Sequence, residues 1–267
     1  MVLRSVIDFS YLSDMKISLS HNGVDYSTDL SQGIDISIPL IAGSDSPNCF
    51  WAPHFDAEPV RSGDWVGDTL LGGDVNFKTV TINTHGNGTH TECVGHIAKE
   101  PITINQVLTN FHHIAQVISV YPQAMENGDK VITKSQVEDC IDPNKPDALI
   151  IRTLPNSDDK QRRIYSGTNP PYVDHEAIKY LVDHGIKHLL IDLPSVDREQ
   201  DDGLLRGHKA FWSYPSTIDN KKTITEMVFV NNNALDGLYL LNMQIASFEL
   251  DASPSKPVIY KLIKSEI

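Results

Sequence analysis

Residues 173–192 read Val173-Asp-His-Glu-Ala-Ile-Lys-Tyr-Leu-Val-Asp-His-Gly-Ile-Lys-His-Leu-Leu-Ile-Asp192. Asp174 suits an N-cap, Ile178, Leu181 and Val182 share one helical face, and Gly185 suits the stop. A helix is therefore predicted over Val173 to Gly185. His188-Leu-Leu-Ile-Asp192 follows at once as an apolar strand. Upstream, Asp147-Ala-Leu-Ile-Ile-Arg-Thr153 is another continuous apolar strand. Strand, helix and strand in this order predict a right-handed βαβ unit with parallel strands. The intervening segment 155–172 is polar, carries Pro170-Pro171 and reads as loop.

Outward from this unit the chain is mostly β. Alternation predicts strands over Lys16–Ser20, Gly33–Pro39 and Phe77–Asn83. Apolar runs predict others over His113–Val120, Glu226–Val230, Gly237–Leu241, Gln244–Leu250 and Pro257–Leu262. Short helices are expected over Thr103–Thr109 and Lys134–Cys140, the second opened by Thr133. Residues 47–70 hold Pro47, Pro53, Pro59, Trp51 and Trp65 and read as one long irregular loop, a length often tied to function. Trp51, Phe55 and Trp65 are candidates for an aromatic substrate pocket or for ordinary packing. With no repeat and no linker, the expected fold class is α/β, a single mixed domain over residues 1–267.

The chain of 267 residues is long enough for a sizeable core. Its 35 acidic side chains against 22 basic ones give a net charge of −13. Nucleic acid and anionic membrane both reward clustered Lys and Arg, so neither is an expected partner. Three cysteines, Cys49, Cys93 and Cys140, make no C-x-x-C pair and no disulfide framework. A reducing, cytoplasmic setting fits them. Asp8 and Asp14 interrupt the N-terminal apolar residues, which argues against a signal peptide. No run approaches the ~20 apolar residues of a membrane span.

The densest chemistry lies in His85-Gly-Asn-Gly-Thr-His-Thr-Glu-Cys-Val-Gly-His96, three imidazoles and a carboxylate within twelve residues. Mixed imidazole and carboxylate ligands suit Zn2+ or Mn2+. His90, Glu92 and His96 share parity, so an extended run would send all three to one face. Gly86 and Gly88 let the chain turn and bring His85 back toward that face.

This stretch resembles the signature of the metal-dependent cyclase-like hydrolase family, which includes bacterial kynurenine formamidase and isatin hydrolase. The family pattern is H-x-G-T-H-x-D-x-P-x-H, and Gly88-Thr89-His90, Glu92 and His96 fall in register with it. Leu189 to Asp197 resembles the family's GiDxPSvD stretch. His208 stands where a distal metal histidine is expected. Thr225-Glu226 with Leu235-Asp-Gly-Leu238 is similar to its glutamate-bearing strand, and Pro254 to Ile259 to its closing strand. The resemblance implies a kynurenine formamidase-like swivelling β/β/α fold. It implies His85, His90, Glu92, His208 and Glu226 as ligands of one or two ions, with His96 as catalytic acid/base. In the family pattern the two upstream histidines and the acid hold one ion; the acid, the distal histidine and the glutamate hold the other. A small-molecule substrate and a homodimer are also implied.

Three residues depart from the pattern. His85 lies five residues before His90 rather than four; either a bulge at Gly86-Asn87 restores the geometry, the favoured reading, or that ligand is lost. Glu92 replaces the bridging aspartate, which leaves one ion or two open. Val94 replaces the proline. The long interval from His208 to Glu226 suggests that Phe211 to Thr223 is an inserted loop over the site. Asp192 and Asp197 are candidates to orient imidazoles or to fix the Pro194-Ser195 turn. Cys93 reads as a small buried hydrophobe, His112-His113 as structural, and Glu199, Asp201 and Asp202 as a solvated loop.

A divalent cation in such a site acidifies water and polarises a carbonyl. Amide hydrolysis also needs a proton for the leaving nitrogen, and imidazole, ordinarily titrating near ~6.5, can carry it. The resulting expectation is hydrolysis of a C–N bond in a small aryl formamide or cyclic amide, with arylformamidase foremost. An isatin-type lactam or imide, a lactone, or a degenerate metal-binding protein without turnover are the alternatives.

Overall fold

The computed structural model describes residues 15–143 and 146–265. Asp8 and Asp14, which bear on the signal-peptide reading, lie outside these residues. The main sheet has nine strands. Their spatial order is Ala252–Pro254, His90–Glu92, Thr223–Glu226, His188–Ile191, Ala148–Thr153, His112–Val120, Gly237–Asn242, Val258–Lys261 and Ile34–Asp35. The four strands from Thr223–Glu226 to His112–Val120 are mutually parallel. Ala148–Thr153 and His188–Ile191 are buried along their whole length, which is why they read as unbroken apolar runs.

The predicted βαβ unit is present. The helix His175–Asp183 is capped by the Asp174 side chain and buries Ala177, Ile178 and Leu181. Gly185 adopts φ 87°, the left-handed region that ends helices cheaply on glycine. The two short helices form as Ile104–Val107 and Lys134–Glu138, the latter with a Thr133–Gln136 capping box. Trp212, Tyr239 and Phe211 are among the largest fully buried side chains.

Several expectations are corrected. The strand placed over Glu226–Val230 is Thr223–Glu226, so Glu226 ends the strand rather than opening it. Met227 sits at φ 53°, and this left-handed residue breaks the extended run although Val228 and Val230 remain buried. Gln244–Leu250 is not a strand. Prolines at 254 and 257 lack ladder donors, and the segment is limited to an Ile245–Ser255 bridge. Gly33–Pro39 shortens to Ile34–Asp35. The Phe77–Asn83 alternation forms only Lys78–Thr81, outside the main sheet. It pairs with Asp56–Pro59 in an arm that includes the Arg61–Ser62/Trp65–Val66 hairpin. Residues 47–70 thus contain strands of their own.

The Phe211–Thr223 segment does not cover the site. The helix Arg206–Trp212 buries Phe211 and Trp212, and Trp212 Nε1 donates to the Lys222 carbonyl at 3.0 Å. This contact draws the chain to Thr223, at the opposite end of the strand from Glu226. No helix among the described residues is long and apolar enough to cross a membrane.

Candidate metal centre

The site forms where the carboxyl ends of the parallel strands meet the antiparallel strand His90–Glu92, an edge that open α/β sheets commonly use for ligands. His90 lies directly across from Glu226 in the ladder. His90 and Glu92 are two apart and leave the same face. Thr89 pins the entry: its hydroxyl donates to the Met227 carbonyl at 2.6 Å and accepts from Ile38 N at 2.8 Å. His90, Glu92, His208 and Glu226 are all buried.

Glu92 is the hub. His208 Nε2 donates to its Oε1 at 3.2 Å, and His85 Nδ1 lies 3.2 Å from its Oε2. His96 Nε2 is 3.8 Å from the same Oε2. His90 Nε2 stands 3.4 Å from Glu226 Oε2, and His208 Nε2 is 4.0 Å from Glu226 Oε1. Glu226 Oε1 also accepts from Val196 N at 3.1 Å. All six residues singled out from the sequence are therefore brought to one place.

Two of them arrive by routes the sequence reading did not foresee. The strand ends at Glu92, and His96 is carried back by a 3-10 turn, Val94–His96, rather than by strand parity. His85 is placed by a turn and not by a bulge in the ladder. The Asn83 side chain accepts from His85 N at 3.1 Å and Gly86 N at 2.8 Å. A Cβ on residue 86 would fall 2.3 Å from Ala52 Cβ, so glycine is required there.

Outer contacts orient the imidazoles. His208 Nδ1 donates to Asp197 Oδ2 at 2.6 Å, and Asp197 also accepts from Gly207 N and His208 N at the helix start. Asp192 plays no such part: it pairs with buried Lys160 at 2.7 Å and accepts from Thr153 N. His90 Nδ1 lies 3.1 Å from the Gly88 carbonyl. Asp251 escaped the sequence reading. Its Oδ2 is 2.8 Å from His85 Nε2 and 3.4 Å from His96 Nδ1. No local pattern marks it, since its partner His85 is 166 residues away.

Electrostatics follow from this packing. Burial opposes charge on His85, but the Asp251 and Glu92 carboxylates outweigh it and raise its pKa to about 10. His208 is likewise raised against burial by Asp197 and Glu92. Burial would raise Glu92, yet the surrounding imidazoles, His96 foremost, hold it well below the usual carboxylate range. Hydrogen bonds from His85 and His96 lower Asp251.

The donor set fits a divalent cation. His90 Nε2 and Glu92 Oε2 are buried without a hydrogen-bond partner, a costly arrangement unless something else satisfies them. Two clusters have donor atoms mutually within 4.8 Å: His90, Glu92 and Glu226, and His85, Glu92 and His96. Glu92 belongs to both. This grouping sets His90 with Glu226 rather than with His85, and counts His96 among the donors.

Other candidates fall outside the centre. Cys93 is buried and its thiol is pushed up to about 11, chiefly by burial, as a small hydrophobe. His113 packs on His188 with ring centroids 3.8 Å apart, and burial lowers His188 to about 3. Trp51 is exposed, and Trp65 packs against Phe77 in the arm. Glu199 accepts from Gly167 N and Asn169 N, and Asp201 from Gly203 N and Leu205 N; both organise their loops rather than merely facing solvent.

A curled nine-stranded sheet with this centre at its carboxyl edge defines a mixed α/β domain of the cyclase-like type. Residues 28–198 match the model of the Cyclase family, described as "Putative cyclase", and the chain belongs to that family. Isatin hydrolase A from Labrenzia aggregata, solved with benzyl benzoate, has a TM-score of 0.63 at 16% identity, covering 86% of this chain and 93% of that one. An isatin hydrolase bound to the product analogue thioisatinate has a TM-score of 0.58 at 15% identity, covering 88% and 93%. A "potential metal-dependent hydrolase with cyclase activity" has a TM-score of 0.62 at 16% identity, covering 86% and 97%. No curated sequence matches the chain.

Proposed function

We propose that this protein is a divalent-metal-dependent hydrolase of a carbon–nitrogen bond in a small aryl formamide or cyclic amide, with N-formylkynurenine as the leading substrate. The observation that carries this reading is Glu92. It is fully buried, with an imidazole on each oxygen, and its Oε2 and the nearby His90 Nε2 lack hydrogen-bond partners. His85, His90, Glu92, His208 and Glu226 would hold Zn2+ or Mn2+, as one ion or as two sharing Glu92. When bound, such a cation supplies Lewis acidity toward water and a carbonyl.

The remaining steps belong to this chain's own side chains. His96 lies at the mouth with 31% of its side chain exposed, within reach of an entering molecule. It takes up a proton as water attacks and delivers one to the leaving nitrogen. Asp197 holds His208, and the Gly88 carbonyl holds His90, so these rings keep one nitrogen directed at the carboxylates.

The test is elemental analysis of purified protein, followed by turnover of N-formylkynurenine and of isatin by absorbance. Stoichiometric metal with formamide turnover supports the reading. Metal with isatin ring-opening alone favours the cyclic-amide alternative, which the fold likeness to isatin hydrolases recommends. Protein that binds neither Zn2+ nor Mn2+ sinks both.

Metal uptake should be strongly pH-dependent. Ligation needs neutral imidazole, yet the facing carboxylates raise His85 to about 10 and push His208 above the usual imidazole range in the metal-free protein. With His85 at about 10, its displaced proton alone makes apparent affinity rise about tenfold between pH 7 and 8, and displacement of a proton from His208 steepens that rise. Calorimetry in buffers of different ionisation enthalpy would count the protons. A raised imidazole pKa stabilises the fold fully below its unfolded value of ~6.5. The His85 share of metal-free stability is therefore lost as pH climbs from there through about 10.

We also propose a homodimer in a reducing, cytoplasmic setting. The arm leaves the apolar side chains Leu70, Phe77 and Val80 exposed at 93%, 58% and 58%, and contact with a second copy would cover apolar area there. The thiols Cys49, Cys93 and Cys140 are all free. Sedimentation equilibrium returning a monomer would refute the dimer.

A further inference from the structure

Each buried imidazole of the centre has one nitrogen tied to an oxygen outside the carboxylate pair and the other turned inward. For His208 the tie is Asp197, at 2.6 Å, and for His90 it is the Gly88 carbonyl, at 3.1 Å. His85 differs because it rides on a turn rather than on the sheet. Its Nε2 is tied to Asp251 Oδ2 at 2.8 Å, which leaves Nδ1 facing Glu92 Oε2 at 3.2 Å. His96 stacks on His85, with ring centroids 4.2 Å apart and planes at 28°. Its Nδ1 is 3.4 Å from the same Asp251 oxygen.

Asp251 is itself rigidly placed. Its carbonyl accepts from Cys93 N at 3.0 Å, and the next three residues pair with the strand carrying His90 and Glu92. Gly95, in the turn that carries His96, brings the backbone close: a Cβ there would fall 2.0 Å from the Ile102 carbonyl oxygen and 3.3 Å from Asp251 Cβ. The edge strand thus delivers one carboxylate to the two imidazoles that the rest of the fold holds least.

We infer that Asp251 is a positioning residue that orders His85 toward the metal and His96 toward the substrate through a single carboxylate oxygen. The inference rests on the metal-site reading above. It explains how a histidine displaced by one residue still presents a nitrogen to the centre. An Nε2–H held by Asp251 also selects the tautomer with its lone pair on Nδ1. His96 gains the same order, with Nδ1 toward Asp251 at 3.4 Å and Nε2 toward Glu92 at 3.8 Å.

The experiment measures Zn2+ affinity of wild-type, Asp251→Ala and Asp251→Asn proteins by competition with a chromophoric chelator. The imidazole N–H signals of the zinc-loaded proteins are followed by nitrogen-edited NMR. The expected result is a 10–100-fold loss of Zn2+ affinity in Asp251→Ala, the range for removing an orienting partner. A slowly exchanging imidazole N–H present in wild type should disappear with it. Asp251→Asn keeps volume and one acceptor and should lose less, at least fivefold; it carries the test if the alanine variant fails to fold. Wild-type affinity and an unchanged N–H signal in a folded variant would overturn the inference while leaving the metal site intact. A wild-type protein that binds no zinc would overturn the metal-site reading, and this inference with it.

Discussion

Glu92→Ala should leave the protein unable to hold metal and without measurable turnover. The side chain is fully buried, meets His208 through one oxygen and His85 through the other, and belongs to both donor clusters. In the proposed site, deleting it removes a shared ligand rather than a neighbour of one. The loss of affinity should exceed the ~10–100-fold expected for an orienting partner. Elemental analysis after dialysis reads the result directly. A variant that retains wild-type stoichiometry would show that the ion, if any, lies elsewhere. Glu92→Asp separates charge from reach: metal binding that survives with altered turnover would assign the extra methylene a role in setting the site's dimensions.

The second large effect is His96→Ala, for which we expect metal content unchanged and kcat lower by at least ~10². His96 stands 3.8 Å from Glu92, on a turn at the mouth, with 31% of its side chain exposed, whereas His90 and His208 are enclosed. That position suits traffic in protons better than retention of an ion. In the proposed role the residue acts on the departing group, so kcat should fall more than KM changes. Full activity in the variant would remove His96 from the chemistry. Loss of metal together with activity would instead make it a ligand, as its place in the His85–Glu92–His96 cluster allows.

The parts legible in the sequence are those written locally. The Asp174 cap, the Ile178/Leu181 face and the Gly185 stop specify a helix without outside help, and the flanking apolar runs specify its strands. The compact His85–His96 run concentrates donors in one stretch, so the centre could be sought there at once. His208 is reached only through resemblance, because nothing in its neighbourhood distinguishes a ligand from an ordinary polar residue, whereas Glu226 is also marked by being a carboxylate beside an apolar run. Asp251 lacked even that, being a contact made across the sheet edge. Strand limits failed where backbone shape overrode side-chain pattern. Met227 turns left-handed within an apolar run, and His96 keeps strand parity with Glu92 but reaches it through a 3-10 turn. The alternation at 77–83 was real, but alternation cannot name a partner, and the strand belongs to the exposed arm.

The strand His90–Glu92 is only three residues long and is gripped by a neighbour on each side. The floor of the centre is therefore part of the backbone lattice, whereas its rim is built from turns at residues 84–86 and 94–96 and from the approach to the edge strand. Evolution can rework the rim without unpicking the lattice beneath it. A lineage of such proteins could exchange one substrate for another by substitutions around His85 and His96 in those turns, with the lattice that seats His90, Glu92 and Glu226 left in place.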